Sequence, residues 1–231
     1  MYKYGQYCPI AKAAEIIGDR WTLLIVRDLL TGTRHFNDLE RGLPGISRGL
    51  LAERLRRLER MEVVEKIERP DKRRSTAYYL TEAGQELEAV INSLLVWGAR
   101  WAFEDPDATD LDPLLLMWWM RSRVCVEELP SRQVLVRFDF KGAKVETFWL
   151  LMTKGDTSVC LTDPGFDLDV LVTADLSAFF QIWLGRLSLT DARLDGRVQI
   201  DATPALARAF PGWFAYSLAA PAVRAAARAS A

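Results

Sequence analysis

The chain has 231 residues, half of them apolar, with 30 Lys/Arg against 31 Asp/Glu and a single histidine, His35. That composition supports a packed core and argues against wholesale disorder. One histidine excludes sites built on several, and the scattered Cys8, Cys125 and Cys160 form no C-x-x-C pair for zinc or a disulfide framework. Charge is unevenly divided: residues 1–103 hold 17 Lys/Arg against 14 Asp/Glu, a net of +3, and the remainder 13 against 17, a net of −4. A mildly basic front and an acidic rear suit one nucleic-acid domain and one domain with another task.

Met1-Tyr2-Lys3-Tyr4-Gly5 has no apolar leader, and the longest apolar run, Leu114 to Met120, is too short to cross a bilayer. The expectation is a cytoplasmic protein without membrane insertion. Ile10 to Ile17 predicts a short helix stopped by Gly18. Asp19 is placed to cap a second, Arg20 to Leu30, with a buried stripe of Leu23, Leu24, Val26, Leu29 and Leu30. Phe36 to Arg41 predicts a third, closed by Gly42 and Pro44. Ser47 caps a fourth that runs to about Met61, with Leu51, Leu55 and Leu58 on its core face and Gly49, Glu53, Arg56, Arg57 and Arg60 opposite. Val63 to Glu68 and Thr76 to Leu80 read as a β-hairpin, and Thr81 caps a long fifth helix to about Phe103. The order α-α-α-α-β-wing-β-α is that of a mainly α winged helix-turn-helix domain, residues 1–103.

Residues 104–112 are acidic and proline-bearing, a linker with little to bury. Residues 113–218 then predict a separate α+β domain, an antiparallel sheet with helices. Pro113 to about Cys125 is a helix capped by Asp112. Strands follow at Gln133–Phe140, Val145–Met152, Asp156–Leu161 and Leu168–Thr173, then a helix at Leu176–Leu184, a strand at Ala192–Ile200 and a helix at Pro204–Phe210. Residues 219–231 are Ala-rich and predict a frayed tail.

The fourth helix carries the chemistry. Its Arg/Glu mixture has a bland reading, a solvated salt-bridge face. Ser47-Arg48-Gly49 tips the balance, since small and basic residues at a helix start approach base edges closely and Arg48 suits guanine. Lys72, Arg73 and Arg74 in the hairpin loop suit the flanking phosphates. Charged hairpin tips also protect sheet edges from aggregation, so the wing alone is a weak signal.

Several segments in order resemble HxlR-type regulators, MarR-like winged-helix transcription factors that are usually dimeric. They are Cys8-Pro9-Ile10, Gly18-Asp19-Arg20-Trp21-Thr22-Leu23-Leu24-Ile25, Arg34-His35-Phe36-Asn37-Asp38-Leu39, Gly45-Ile46-Ser47, Leu51 with Arg54-Leu55, and Tyr79-Leu80-Thr81-x-x-Gly84. The resemblance implies double-stranded DNA as partner, with Ser47, Arg48 and Gly49 at bases in the major groove. Arg54, Arg56, Lys72, Arg73 and Arg74 would meet mostly phosphate. Met61-Glu62 departs from it, standing where the family commonly has an acidic residue and a glycine, and predicts a reshaped turn. Some HxlR-type proteins use a cysteine at the position matching Cys8 as a redox or electrophile sensor. The ordinary alternative is a small hydrophobe in the first helix's packing. Cys125 and Cys160 read as core.

The fifth helix is more apolar than one buried face requires. Leu87, Ile91, Leu94 and Trp101 are candidates for a homodimer interface, which would present two recognition helices to a near-palindromic operator. In the rear domain, Asp175-Leu176 through Gly185-Arg186 and Ala192-Arg193-Leu194-Asp195-Gly196-Arg197-Val198-Gln199-Ile200 resemble the second half of a sterol carrier protein-type domain. That resemblance implies an apolar tunnel for a hydrophobic effector, with Trp149, Phe179 and Trp183 as candidate ligand-facing residues. Asp163, Asp167 and Asp169 fit a turn and a strand start better than an acid/base pair, so no enzyme, cofactor or metal is expected. The alternative function is a lipid carrier whose front domain serves only dimerisation.

Overall fold

The structure, a computed structural model, describes residues 3–68, 76–104, 110–142 and 144–229. The chain divides into two compact units, Met1–Leu94 and Leu95–Ala231.

The front unit begins with α1 (Pro9–Ile17), α2 (Thr22–Leu30), α3 (Phe36–Gly42) and α4 (Arg48–Arg60). An antiparallel hairpin follows, β1 (Val64–Glu68) and β2 (Thr76–Leu80), with Val64 opposite Leu80 and Glu68 opposite Thr76. This is the winged helix-turn-helix order that the sequence predicts. One core unites it: Ile25, Val26 and Leu29 of α2, Leu39 of α3, Leu51, Leu55 and Leu58 of α4, and Val63, Val64 and Leu80 around the hairpin. Leu24, expected in the stripe, is instead 40% exposed, and Ile25 takes its place.

Three local differences from the sequence reading have physical causes. Asp19 does not cap α2. Trp21 precedes the helix in a left-handed conformation (φ 81°), and the Asp19 carboxylate faces Arg54 and Arg57 of α4. The turn after α4 keeps a glycine-type shape without glycine. Glu62 adopts φ 56°, its N–H bonds the Glu59 carbonyl, and Val63 N–H bonds the Leu58 carbonyl, the paired bonds of a Schellman cap. The long fifth helix is two, α5 (Glu82–Glu86) and α6 (Glu88–Trp101), broken where Leu87 N–H turns to the Gly84 carbonyl at 3.3 Å. Gly84 is buried there because a Cβ would collide with the Val63 carbonyl oxygen.

The rear unit holds α7 (Pro113–Arg121), β3 (Val134–Lys141), β4 (Val145–Met152), β5 (Thr157–Cys160) and β6 (Val170–Asp175). After these come α8 (Leu176–Trp183), α9 (Leu189–Leu194), β7 (Val198–Ala202), α10 (Pro204–Ala209) and α11 (Ala220–Ala229). Its sheet has the order β5-β4-β3-β6-β7 and is mixed, not antiparallel throughout, because β3 and β6 run parallel. The chain goes outward through β4 and β5, then returns across residues 161–169 to the other side of β3. Asp169 anchors that return: its N–H bonds the Leu135 carbonyl (3.0 Å), and its carboxylate accepts from Leu135 N–H (2.9 Å) and Arg132 (2.6 Å). Burial pushes this carboxyl upward, but the Arg132 guanidinium and the Leu135 amide outweigh it and hold the group below its ordinary range.

Two further corrections belong to this unit. The segment from Ala192 is not all strand, since Ser188 caps the short α9 through Asp191 N–H and the strand begins only at Val198. The Ala-rich tail is helical over Ala220–Ala229, as alanine favours, and Ala220 and Val223 are buried. Gly185, at φ 76°, lets it approach: a Cβ there would lie 3.0 Å from the Ala220 Cβ.

Candidate DNA-binding surface

The first turn of α4 is built from its own sequence. Ser47, in extended conformation, accepts a hydrogen bond from Leu50 N–H at 3.3 Å and so satisfies one of the open amides of the helix start. Leu51, Leu55 and Leu58, at most 1% exposed, fix the inward face. Ser47, Arg48 and Gly49 therefore face solvent, with Glu53, Arg56 and Arg60 further along. A Cβ on Gly49 would meet nothing within 4 Å, so the protein's own packing does not require glycine there.

The arginines of this helix differ in circumstance. Arg48 is open, with 64% of its side chain exposed, yet it is engaged by α3. Glu40 accepts from its Nη1, Asn37 Oδ1 from its Nη2 at 3.2 Å, and the guanidinium carbon sits 5.0 Å from the centre of the Phe36 ring. Arg54, expected at phosphate, points inward, 18% exposed, pairing with Glu53 at 3.0 Å and Asp19 at 3.7 Å. Arg57 does the same more closely, ion-paired to Asp19 and donating to the Glu15 carbonyl. Arg56 is exposed and donates from Nε to the Ala52 carbonyl at 3.2 Å. The wing residues Lys72, Arg73 and Arg74 lie outside the described residues.

Sequence reading missed the Asp19 brace and the α3 clamp on Arg48. Both join residues of different helices, so no helical or strand period signals them. The brace has a further layer. Glu15, whose carbonyl Arg57 holds, receives Tyr4 N–H (2.9 Å) and Lys12 (3.2 Å), and the Tyr4 amide and Lys12 keep its carboxyl below the usual range. On α2, the buried Asp28 is pushed the other way by loss of water, although Arg27 Nε donates to it at 2.8 Å.

The remaining candidates are placed as follows. Cys8 is half-buried immediately before α1, and Lys12 N–H bonds its carbonyl at 3.0 Å. Cys125 and Cys160 are half-buried as well and lie outside the core; burial pushes the Cys160 thiol up. Leu87, at the break before α6, and Ile91 on α6 pack against the front core, whereas Leu94 is 45% and Trp101 66% exposed, in line with the exposed Val90 and Trp97. In the rear unit Phe179 and Trp183 line one cavity of about 30 Å³ with Met120, Ile182, Phe210 and Phe214. Trp149 is not among its walls, and Arg137 lies over its ring at 5.8 Å. Among the described residues there is no cluster of three or more metal-ligating side chains, and no helix is long and apolar enough to cross a membrane.

Residues 16–106 match the family model described as HxlR-like helix-turn-helix. The uncharacterized HTH-type transcriptional regulator YvaP of Bacillus subtilis (strain 168) is 35% identical over 107 residues, which cover 46% of this chain and 97% of that protein. The HTH-type transcriptional regulator YodB of the same organism is 37% identical over 91 residues, covering 39% of this chain and 81% of the relative. An uncharacterized HTH-type transcriptional regulator of Mycobacterium tuberculosis, MT3179, is 40% identical over 89 residues, covering 38% of this chain and 56% of the relative. These similarities are to transcriptional regulators, and none of the three points to an enzymatic family.

Proposed function

Because the chain belongs to the HxlR-like helix-turn-helix family, we propose that it is a dimeric, sequence-specific DNA-binding transcriptional regulator that reads DNA with the first turn of α4. One observation carries the residue assignment: Ser47, Arg48 and Gly49 are exposed together at the start of a helix whose other face is sealed in the core. A small, basic helix tip on a rigid base is what close approach to base edges needs. The empty space around Gly49 supports this, since a glycine in the first helical turn without a packing role gives up helix propensity.

On this reading Arg56 and the wing residues Lys72, Arg73 and Arg74 bind phosphate, while Arg54, tied to Asp19, braces the helix. The exposed line of α6, Leu94 and Trp101 with Val90 and Trp97, meets a second copy. Leu87 and Ile91 support it from within. The operator is then near-palindromic, and the protein acts in the cytoplasm, where the DNA is. Cys8, beside the helix that Glu15 and Arg57 tie to α4, is the candidate redox control point.

For the rear unit we retain the sterol carrier-type resemblance as a proposal for an effector domain, entered at the cavity of Phe179 and Trp183. That cavity is far below the several hundred cubic ångströms of a typical ligand site. Effector binding must therefore open it, and a bulk lipid carrier is disfavoured.

The test is fluorescence anisotropy of the purified protein on DNA from upstream of its own gene and on scrambled DNA, across a salt series. Tighter binding to the native fragment at physiological salt is expected. Equal and steeply salt-sensitive binding to both would reduce the interaction to general phosphate attraction.

A further inference from the structure

Arg48 occupies the first position of α4, where the helix dipole is positive and a cation is disfavoured. The first turn of α4 has no acidic residue of its own to offset it. The compensation comes from α3, where Phe36, Asn37 and Glu40 all touch the guanidinium. This is more than an ordinary surface pair, which joins two mobile side chains at one point. Here the ring face and both terminal nitrogens of one arginine are held by another helix. The exposures are unequal: Glu40 is 27% exposed and Arg48 64%. The carboxylate is thus sheltered beneath the guanidinium, and the arginine's outer side is open. A guanidinium has five N–H donors, so two bonds to α3 leave others for a ligand.

We propose that Glu40 is a specificity-determining residue acting through Arg48: the α3 clamp stays closed on DNA, presents the remaining guanidinium donors to base edges in one pose, and cancels the charge that would otherwise bind any phosphate. Glu40 is a positioning residue in this scheme. Holding a side chain in its bound pose lowers the ordering cost at the correct site. Neutralising it withholds affinity from every other site, because non-specific binding is almost wholly electrostatic. A carboxylate on a DNA-facing surface, which weakens total affinity, then improves the difference between affinities.

The inference rests on the DNA-binding reading above, and the experiment separates the two. The full-length protein is used to enrich duplexes from a random pool. Wild type, Glu40→Gln, Glu40→Asp, Arg48→Ala and the Glu40→Gln/Arg48→Ala double variant are then titrated on the enriched duplex and on a scrambled one, across salt. Glu40→Gln should tighten scrambled-DNA binding about 2- to 5-fold, the scale of one exposed charge pair. It should also steepen the dependence of log K on log salt by about 0.9 per bound copy, one added phosphate contact. Binding to the enriched duplex should weaken, so that discrimination falls from both sides. Glu40→Asp, which keeps the charge, should bind scrambled DNA as wild type does, and in the Arg48→Ala background, where Glu40 is an unpaired charge, Glu40→Gln should tighten both duplexes alike and leave discrimination unchanged. The proposal is overturned if Glu40→Gln leaves scrambled binding and salt slope at wild-type values, weakens both duplexes equally, or lowers discrimination as much without Arg48 as with it. Failure of wild type to enrich any duplex would overturn the DNA-binding reading itself and this inference with it.

Discussion

Arginines mark the front unit and aromatics mark the rear, and both sets face inward more than their chemistry suggests. On α4, Arg54 and Arg57 are turned to Asp19, leaving Arg48, Arg56 and Arg60 outward. In the rear unit Phe138 alone meets Phe140, Phe179 and Phe210 at ring separations of 5.7, 5.8 and 6.3 Å, and Phe210 stacks edge-on against the fully buried Trp213. Residue types that signal a binding site are in both places largely framework. The difference lies in what is left over: the front unit exposes a compact helix tip, whereas the rear holds a small apolar cavity among its rings.

The comparison is sharpest where the framework is cut. Phe138→Ala should cost about 3–5 kcal/mol of rear-unit stability by opening a hole in the ring cluster, read as a lowered denaturant midpoint, while DNA binding by the front unit persists. Loss of DNA binding together with that midpoint would show that the two units fold as one. Asp19→Ala removes the carboxylate that two inward arginines share. With Asp19 itself a third exposed, the expected loss is about 1–2 kcal/mol, with weakened binding to enriched and scrambled DNA alike because the whole helix loses its brace.

Smaller changes probe the backbone. Glu62→Gly should stabilise the front unit by up to about 1 kcal/mol by relieving a left-handed residue that carries a Cβ; an unchanged or lower melting temperature would contradict this. Gly49→Ala should raise stability by about 0.5–1 kcal/mol and weaken DNA binding through its methyl group. A variant that is more stable and binds as well as wild type would remove Gly49 from the interface.

How much of this was legible in the sequence follows from the range of the interactions. Helix α4, its Ser47 cap and its three core leucines were readable because period and capping are local. The two strands of the hairpin were readable from their apolar runs, though not their register. The Asp19 brace and the Glu40 clamp were not, because each joins side chains across a turn whose geometry depends on a left-handed residue, Trp21, or on Gly45 at φ 87°. The parallel pairing of β3 with β6 was hidden for a similar reason, since individual strands look alike whichever neighbour they take. Family similarity adds most where local reading is already strong, at residues 16–106. It leaves the rear unit to its own packing for an explanation.

The central claim, that the exposed first turn of α4 reads sequence, is tested most directly by Arg48→Ala in side-by-side titrations of enriched and scrambled duplexes. The account predicts that discrimination falls by about 10-fold or more, the scale of one bidentate arginine–guanine contact, while scrambled-DNA affinity falls only by about 2- to 5-fold, the scale of the one exposed charge that an unpaired Glu40 then adds. Full discrimination retained without Arg48 would place the reading surface elsewhere on the front unit.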